Sequence, residues 1–111
     1  MRNFLSGATR DNDETKIDYE GFLSPLVLQR FGEYMNKHRT QADKKLRDSD
    51  NWQKLFGEEH LAVCMKSAWR HFHAWWSAHR GEPSEDIEES ICAVIFNAQA
   101  YLFKILKDKQ K

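Results

Sequence analysis

From Ile87 onward the apolar residues fall at Ile91, Val94, Ile95, Ala98, Leu102, Ile105 and Leu106, a helical spacing held over about five turns. A stripe of that length fixes one face of a long helix and excludes a strand, whose apolar residues alternate at every second position. The spacing predicts a helix over about 85–107. Glu82-Pro83-Ser84 forms the turn before it, with Ser84 as a candidate N-cap, and a lysine-rich tail ends it.

Two further helices follow from the same reasoning. Ser24-Pro25 is a helix start, because serine caps the free amides and proline at the first helical position gives up no needed donor. Val27, Leu28, Phe31, Tyr34, Met35 and His38 then recur at helical spacing, predicting a helix over about 25–40. Glu58-Glu59 suits a helix N-terminus. Leu61, Cys64, Met65, Ala68, Phe72, Trp75 and Trp76 carry a second stripe to His79, which Arg80-Gly81 closes. The stretch from Thr40 to Gly57 is too polar to be buried and is expected as a loop with a short helical turn.

No sustained alternation of apolar and polar residues supports a sheet. Residues 1–22 have no period and are expected as an extended arm, leaving residues 23–108 as one helical domain, a size that suits a single core. The fold class expected is all-α, a small helical bundle of three to four helices with an extended N-terminal arm. Trp69, Trp75, Trp76, Phe96 and Phe103 cannot all enter one three-helix core, so completion by homo-oligomerisation (dimer or tetramer) is expected.

Lys+Arg and Asp+Glu are both 17, so no overall field draws the chain to long nucleic acid or to an anionic membrane. Any polyanion must be held by a local cluster. Cys64 and Cys92 lie in apolar runs without zinc-type spacing and are expected to be reduced core residues. No signal peptide and no uninterrupted spanning segment is seen, so a cytoplasmic location without membrane attachment is expected.

Several polar residues are candidates for chemistry. Arg70 and His71 sit mid-helix between Trp69 and Phe72. Arg70 can fork onto a phosphate or pair with a carboxylate, and His71 can carry a proton, ligate a metal or be a satisfied interior histidine. Glu82, Glu85, Asp86, Glu88 and Glu89 crowd the start of the last helix. Two or three of them can converge on a hard cation such as Mg²⁺, or simply complement the helix dipole. Asn97 interrupts an apolar face and needs a partner if buried. Trp52, beside Asn51, is an aromatic that can stack on a base or pack its own loop. Among hydrolase and dinucleotide-binding fingerprints, neither a P-loop nor a GxGxxG occurs.

Taken in order, Gly7-Ala8, Arg10, Lys16, Asp18, Ser24-Pro25, Phe31, Tyr34, Asp50-Asn51-Trp52, Arg70-His71 with Trp75, Gly81-Glu82, Asp86, Glu88-Glu89 and Phe96-Asn97 make a pattern. It resembles the small phage and prophage family described as dATP/dGTP diphosphohydrolase-like, related to the all-α MazG-type nucleoside triphosphate pyrophosphatases, over nearly the whole chain. The resemblance implies an oligomeric helical bundle in a host cytoplasm that hydrolyses a (d)NTP to (d)NMP and pyrophosphate with Mg²⁺ or Mn²⁺.

It also implies roles. Glu82, Asp86, Glu88 and Glu89 would be the metal ligands, with Glu82, Glu89 and His71 catalytic. Lys16 and Arg70 would contact phosphate, Trp52 or Tyr34 the base, and Asp18, Asn51 and Asn97 would complete the substrate site. Apart from the resemblance, Lys16 would bring a positive charge to an otherwise acidic site, so the arm from Ser6 to Lys16 is expected to close over the ligand. One departure stands out: MazG-type enzymes share an ExxE pair facing an ExxD pair, and Arg70-His71 stands where the ExxE would be. A second subunit could supply the missing ligands, His71 could substitute, or the protein could bind a nucleotide, or a nucleotide-derived defence signal, without cleaving it.

Overall fold

The structure, a computed structural model, describes residues 2–3, 9–10, 15–40, 44–54 and 57–110. In chain order the elements are strands β1 (Arg2–Asn3) and β2 (Thr9–Arg10), helices α1 (Tyr19–Phe22) and α2 (Pro25–Lys37), a 3₁₀ turn (Asn51–Lys54), and helices α3 (His60–His79) and α4 (Ile87–Lys109). The fold is all-α, as the periodicity predicts.

The arm departs from the expectation of purely extended chain. β1 and β2 pair antiparallel with Arg2 opposite Arg10, a two-residue ladder too short to show as alternation. Asp18 caps α1, its Oδ1 accepting from the Gly21 amide at 3.0 Å. Most of the segment expected to close over a ligand, residues 6–8 and 11–14, lies outside the described residues.

Helix ends follow local chemistry. Ser24 Oγ accepts from the Val27 amide at 3.2 Å and Pro25 occupies the first helical position. α2 ends at Lys37, three residues short of the expected limit. Beyond it, Thr40 bridges Leu46 and the Arg47 amide donates to the Arg39 carbonyl at 2.9 Å. Gly81, at φ 80°, ends α3: the Glu82 amide donates to Ser77 O at 2.9 Å and the Gly81 amide to Ala78 O at 3.1 Å. This paired closure needs a left-handed residue, which glycine supplies without strain.

The cap of α4 is Asp86, not Ser84. Asp86 Oδ1 accepts from the amides of Glu88 at 2.8 Å and Glu89 at 3.4 Å. Ser84 Oγ instead donates to Ala74 O at 2.7 Å, tying the connecting loop back onto α3.

α3 and α4 form an antiparallel hairpin that supplies most of the tertiary contact, with α2 and the 3₁₀ turn laid against α4. The buried residues are Cys64, Ser90, Cys92, Ala93, Asn97 and Ala100. All are small, so the two helices approach closely, and both cysteines are free thiols as expected. Burial raises the pKa of each thiol above its ordinary value. Among the described residues α4 alone reaches the length and mean hydropathy of a membrane span, a property it shares with the core helices of soluble proteins.

The molecule is elongated, 58 × 43 × 26 Å. Its radius of gyration of 18.9 Å exceeds the roughly 13 Å of a compact domain of this length.

Candidate functional site

Residues one helical turn apart share a face, and on α2 that rule lines up Arg30, Tyr34 and Lys37. All three point toward the start of α4. Arg30 Nε donates to Glu88 Oε1 at 2.6 Å and its Nη2 to Glu89 Oε2 at 3.1 Å. Lys37 Nζ donates to the other oxygen of Glu89. Glu89 therefore holds two cations at once, and these bonds, that of Lys37 foremost, hold its carboxyl below the ordinary range. Arg30 is correspondingly pushed upward by Glu88 and Glu89. Tyr34 is raised, first by burial and then by the charge of Glu89.

A second polar cluster joins α3 to the α4 entrance. His71 Nδ1 lies 3.2 Å from Glu85 Oε1, and Ser90 Oγ, wholly buried, donates to the same oxygen at 2.9 Å. The hydroxyl bond first and the imidazole second lower the Glu85 pKa. Arg70, next to His71 in sequence, lies about 100° round the helix from it and is exposed, its charge adding to the lowering of the Glu85 pKa.

Both depressed carboxyls make stability depend on pH. A group whose folded-state pKa lies below its unfolded value stabilises above the ordinary carboxylate pKa and loses that contribution as pH falls through the folded value. Urea midpoints are therefore expected to hold steady above pH 5 and to fall as pH drops below about 4.5, the ordinary value for glutamate. Glu85→Gln with Glu89→Gln should flatten that fall. A wild-type midpoint that stays level down to pH 3 would count against these pairings.

The third feature is a cavity of about 230 Å³ between the end of α2, the loop and α4. Tyr34, His38, Arg39, Arg47, Asn51 and Trp52 are among its lining residues, with Phe96. Tyr34 and His38 rings lie 4.4 Å apart. Trp52 packs edge-on against Phe96 at 6.1 Å and Phe103 at 5.2 Å, which fixes the 3₁₀ turn on α4. Arg39 is held in place by its Nε donating to Arg47 O at 2.9 Å and Nη1 to Asn36 Oδ1 at 3.3 Å.

Of the residues expected in a site, Tyr34, Asn51 and Trp52 therefore meet in one cavity, and Glu89 acts on Tyr34 through its charge. The others are placed elsewhere. Glu82 is exposed in the α3–α4 connection, Lys16 is exposed in the arm, and Asp18 spends its carboxylate on the α1 cap. Asn97 is buried between helices, its Nδ2 donating to Ser67 Oγ at 3.2 Å and Ala93 O at 2.8 Å.

The four carboxylates expected as metal ligands do not converge. Asp86 caps a helix, Glu88 and Glu89 are neutralised by Arg30 and Lys37, and Glu82 stands apart. Among the described residues no group of three His, Cys, Asp or Glu side chains is arranged to hold a metal ion. As placed, this donor set does not fit a divalent cation, because basic side chains already stand where the cation would. Sequence reasoning missed Arg30, Lys37 and Arg39, while Arg47 stands with Trp52 among its loop candidates; the helical spacing of Arg30, Tyr34 and Lys37 was the available signal.

No family model, curated protein or solved structure matches this chain.

Proposed function

We propose that this chain binds a nucleotide, with the base in the cavity beside Trp52 and Tyr34. The observation that carries it is the meeting of Tyr34, Asn51 and Trp52 with Arg39 and Arg47 around one opening. Aromatic faces stack on any base, an amide such as that of Asn51 can read a base edge, and guanidinium groups match phosphate oxygens in a planar fork. At about 230 Å³ the cavity is smaller than the roughly 300–1,000 Å³ of whole-ligand pockets. It has room for a base, and the phosphates would extend through its mouth.

A (d)NTP is the ligand class that the whole-chain resemblance favours, and the protein would act as a homo-oligomer in a host cytoplasm. A second reading, hydrolysis of that (d)NTP to (d)NMP and pyrophosphate with Mg²⁺ or Mn²⁺, draws support from the density of carboxylates from Glu82 to Glu89. Against it stands the commitment of Glu88 and Glu89 to Arg30 and Lys37. Binding without cleavage, as in sequestration of a nucleotide or a nucleotide-derived signal, is what this arrangement favours.

One experiment separates them. Calorimetric titration with a panel of dNTPs, followed by recovery of the ligand, is expected to show binding with the ligand unchanged. Pyrophosphate release that requires Mg²⁺ would establish hydrolysis instead, and absence of any binding heat across the panel would reject both.

A further inference from the structure

We infer that the outward face of α3 is the surface through which two copies of this chain pair, helix against helix and antiparallel. α3 carries two apolar faces. One, through Leu61, Cys64, Ala68 and Trp75, is buried or half-buried, and Ser67 and His71 beside it meet Asn97 and Glu85. The other runs through Ala62, Met65, Trp69, Phe72 and Trp76 and faces solvent, with Met65 47%, Trp69 65%, Phe72 43% and Trp76 51% exposed.

The spacing of that second face alternates three and four residues, the heptad pattern that lets one helix lie along another at a shallow angle. Its aromatic rings are already ordered: Trp69 lies edge-on to Phe72 at 6.2 Å, and His73 edge-on to Trp76 at 5.7 Å. Docking therefore costs little side-chain entropy. Two tryptophans, a phenylalanine and a methionine at about half exposure offer on the order of 400 Å² of apolar surface. That is about half of the roughly 800 Å² each partner contributes to a stable interface, and the polar rim supplies the remainder.

The occupant is a second copy because the rim complements itself. Glu59, Lys66, His73 and Arg80 recur every seven residues along one edge of the stripe. Antiparallel pairing of two α3 helices sets Glu59 of each copy beside Arg80 of the other, at both ends of the contact. Parallel pairing would turn this edge to the opposite edge of the other copy and leave Glu59 and Arg80 without each other. An isologous two-fold contact of this kind closes on itself, and it also opposes the two helix dipoles.

Sedimentation of the full chain over a range of micromolar concentrations tests it. The expected species is a dimer. Trp69→Glu and Trp76→Glu, each checked for unchanged helical circular dichroism, should weaken self-association at least about thirtyfold, as loss of a central aromatic does. Glu59 makes no side-chain cap bond to α3, and its replacement is checked for unchanged helical circular dichroism because it also reverses the charge at the helix start. Glu59→Arg and Arg80→Glu should each weaken the dimer, and their combination should restore it. A monomer at every concentration, or a dimer indifferent to Trp69→Glu, would overturn the proposal. Failure of the charge swap to restore pairing would overturn the antiparallel arrangement. A dimer lost only when residues 1–14 are removed would assign the contact to the arm.

Discussion

Trp52→Ala should weaken nucleotide binding by about 1–3 kcal/mol, roughly fivefold to a hundred-and-fifty-fold, because base stacking on an aromatic side chain is worth about that much. The indole is also the packing link between the 3₁₀ turn and α4, through Phe96 and Phe103. Truncation therefore removes both the stacking surface and part of the cavity wall. Trp52→Phe keeps a π-face and should retain most of the affinity, which separates loss of stacking from loss of packing. Calorimetry on the two variants decides the matter: equal affinity of wild type and Trp52→Ala would place the base elsewhere.

The second large effect is steric. Ala93 and Ala100 are buried two helical turns apart in α4, where α3 comes close enough that only small residues fit. Replacing either with leucine forces the hairpin apart or drives neighbours off their rotamers, at about 1–3 kcal/mol for each site. Ala100→Leu is expected to lower the urea midpoint clearly, and a midpoint equal to wild type would show that the α3–α4 contact is looser than described.

α2 and α3 were legible in the sequence because each begins or ends on a residue with one dominant local reason, whereas α1, a single turn inside the expected arm, was not. Ser24-Pro25 and Gly81 set their boundaries by chemistry acting within a single turn. The cap of α4 was not legible in the same way. Ser84 and Asp86 are both good caps, and the choice between them rests on the Ala74 carbonyl across the hairpin, a tertiary partner no local pattern reveals. The β1–β2 ladder escaped notice because two residues carry no period.

The site divides along the same line. Trp52 and Asn51 stand out by their chemistry and Tyr34 by the family resemblance, and the fold gathers them. The acidic run from Glu82 to Glu89 looked like one cluster because its members are close in sequence. On a helix N-terminus they diverge, and each takes a different partner: amides for Asp86, imidazole and hydroxyl for Glu85, guanidinium and ammonium for Glu88 and Glu89. Arg30 and Lys37, more than fifty residues away, decide what those carboxylates can do.

The α3–α4 hairpin joins its helices through the short connection 80–86, so its pairing links residues close along the chain. Contacts of that kind form early, since little loop entropy opposes them. α2 meets α4 from more than fifty residues upstream and is secured there by Arg30 and Lys37. The order of assembly follows: the hairpin forms first and α2 docks onto it afterwards as a charge-held clasp. Amides of α2 should then exchange with solvent deuterium sooner than those in the middle of α4, and acid should open the clasp while the hairpin stays closed.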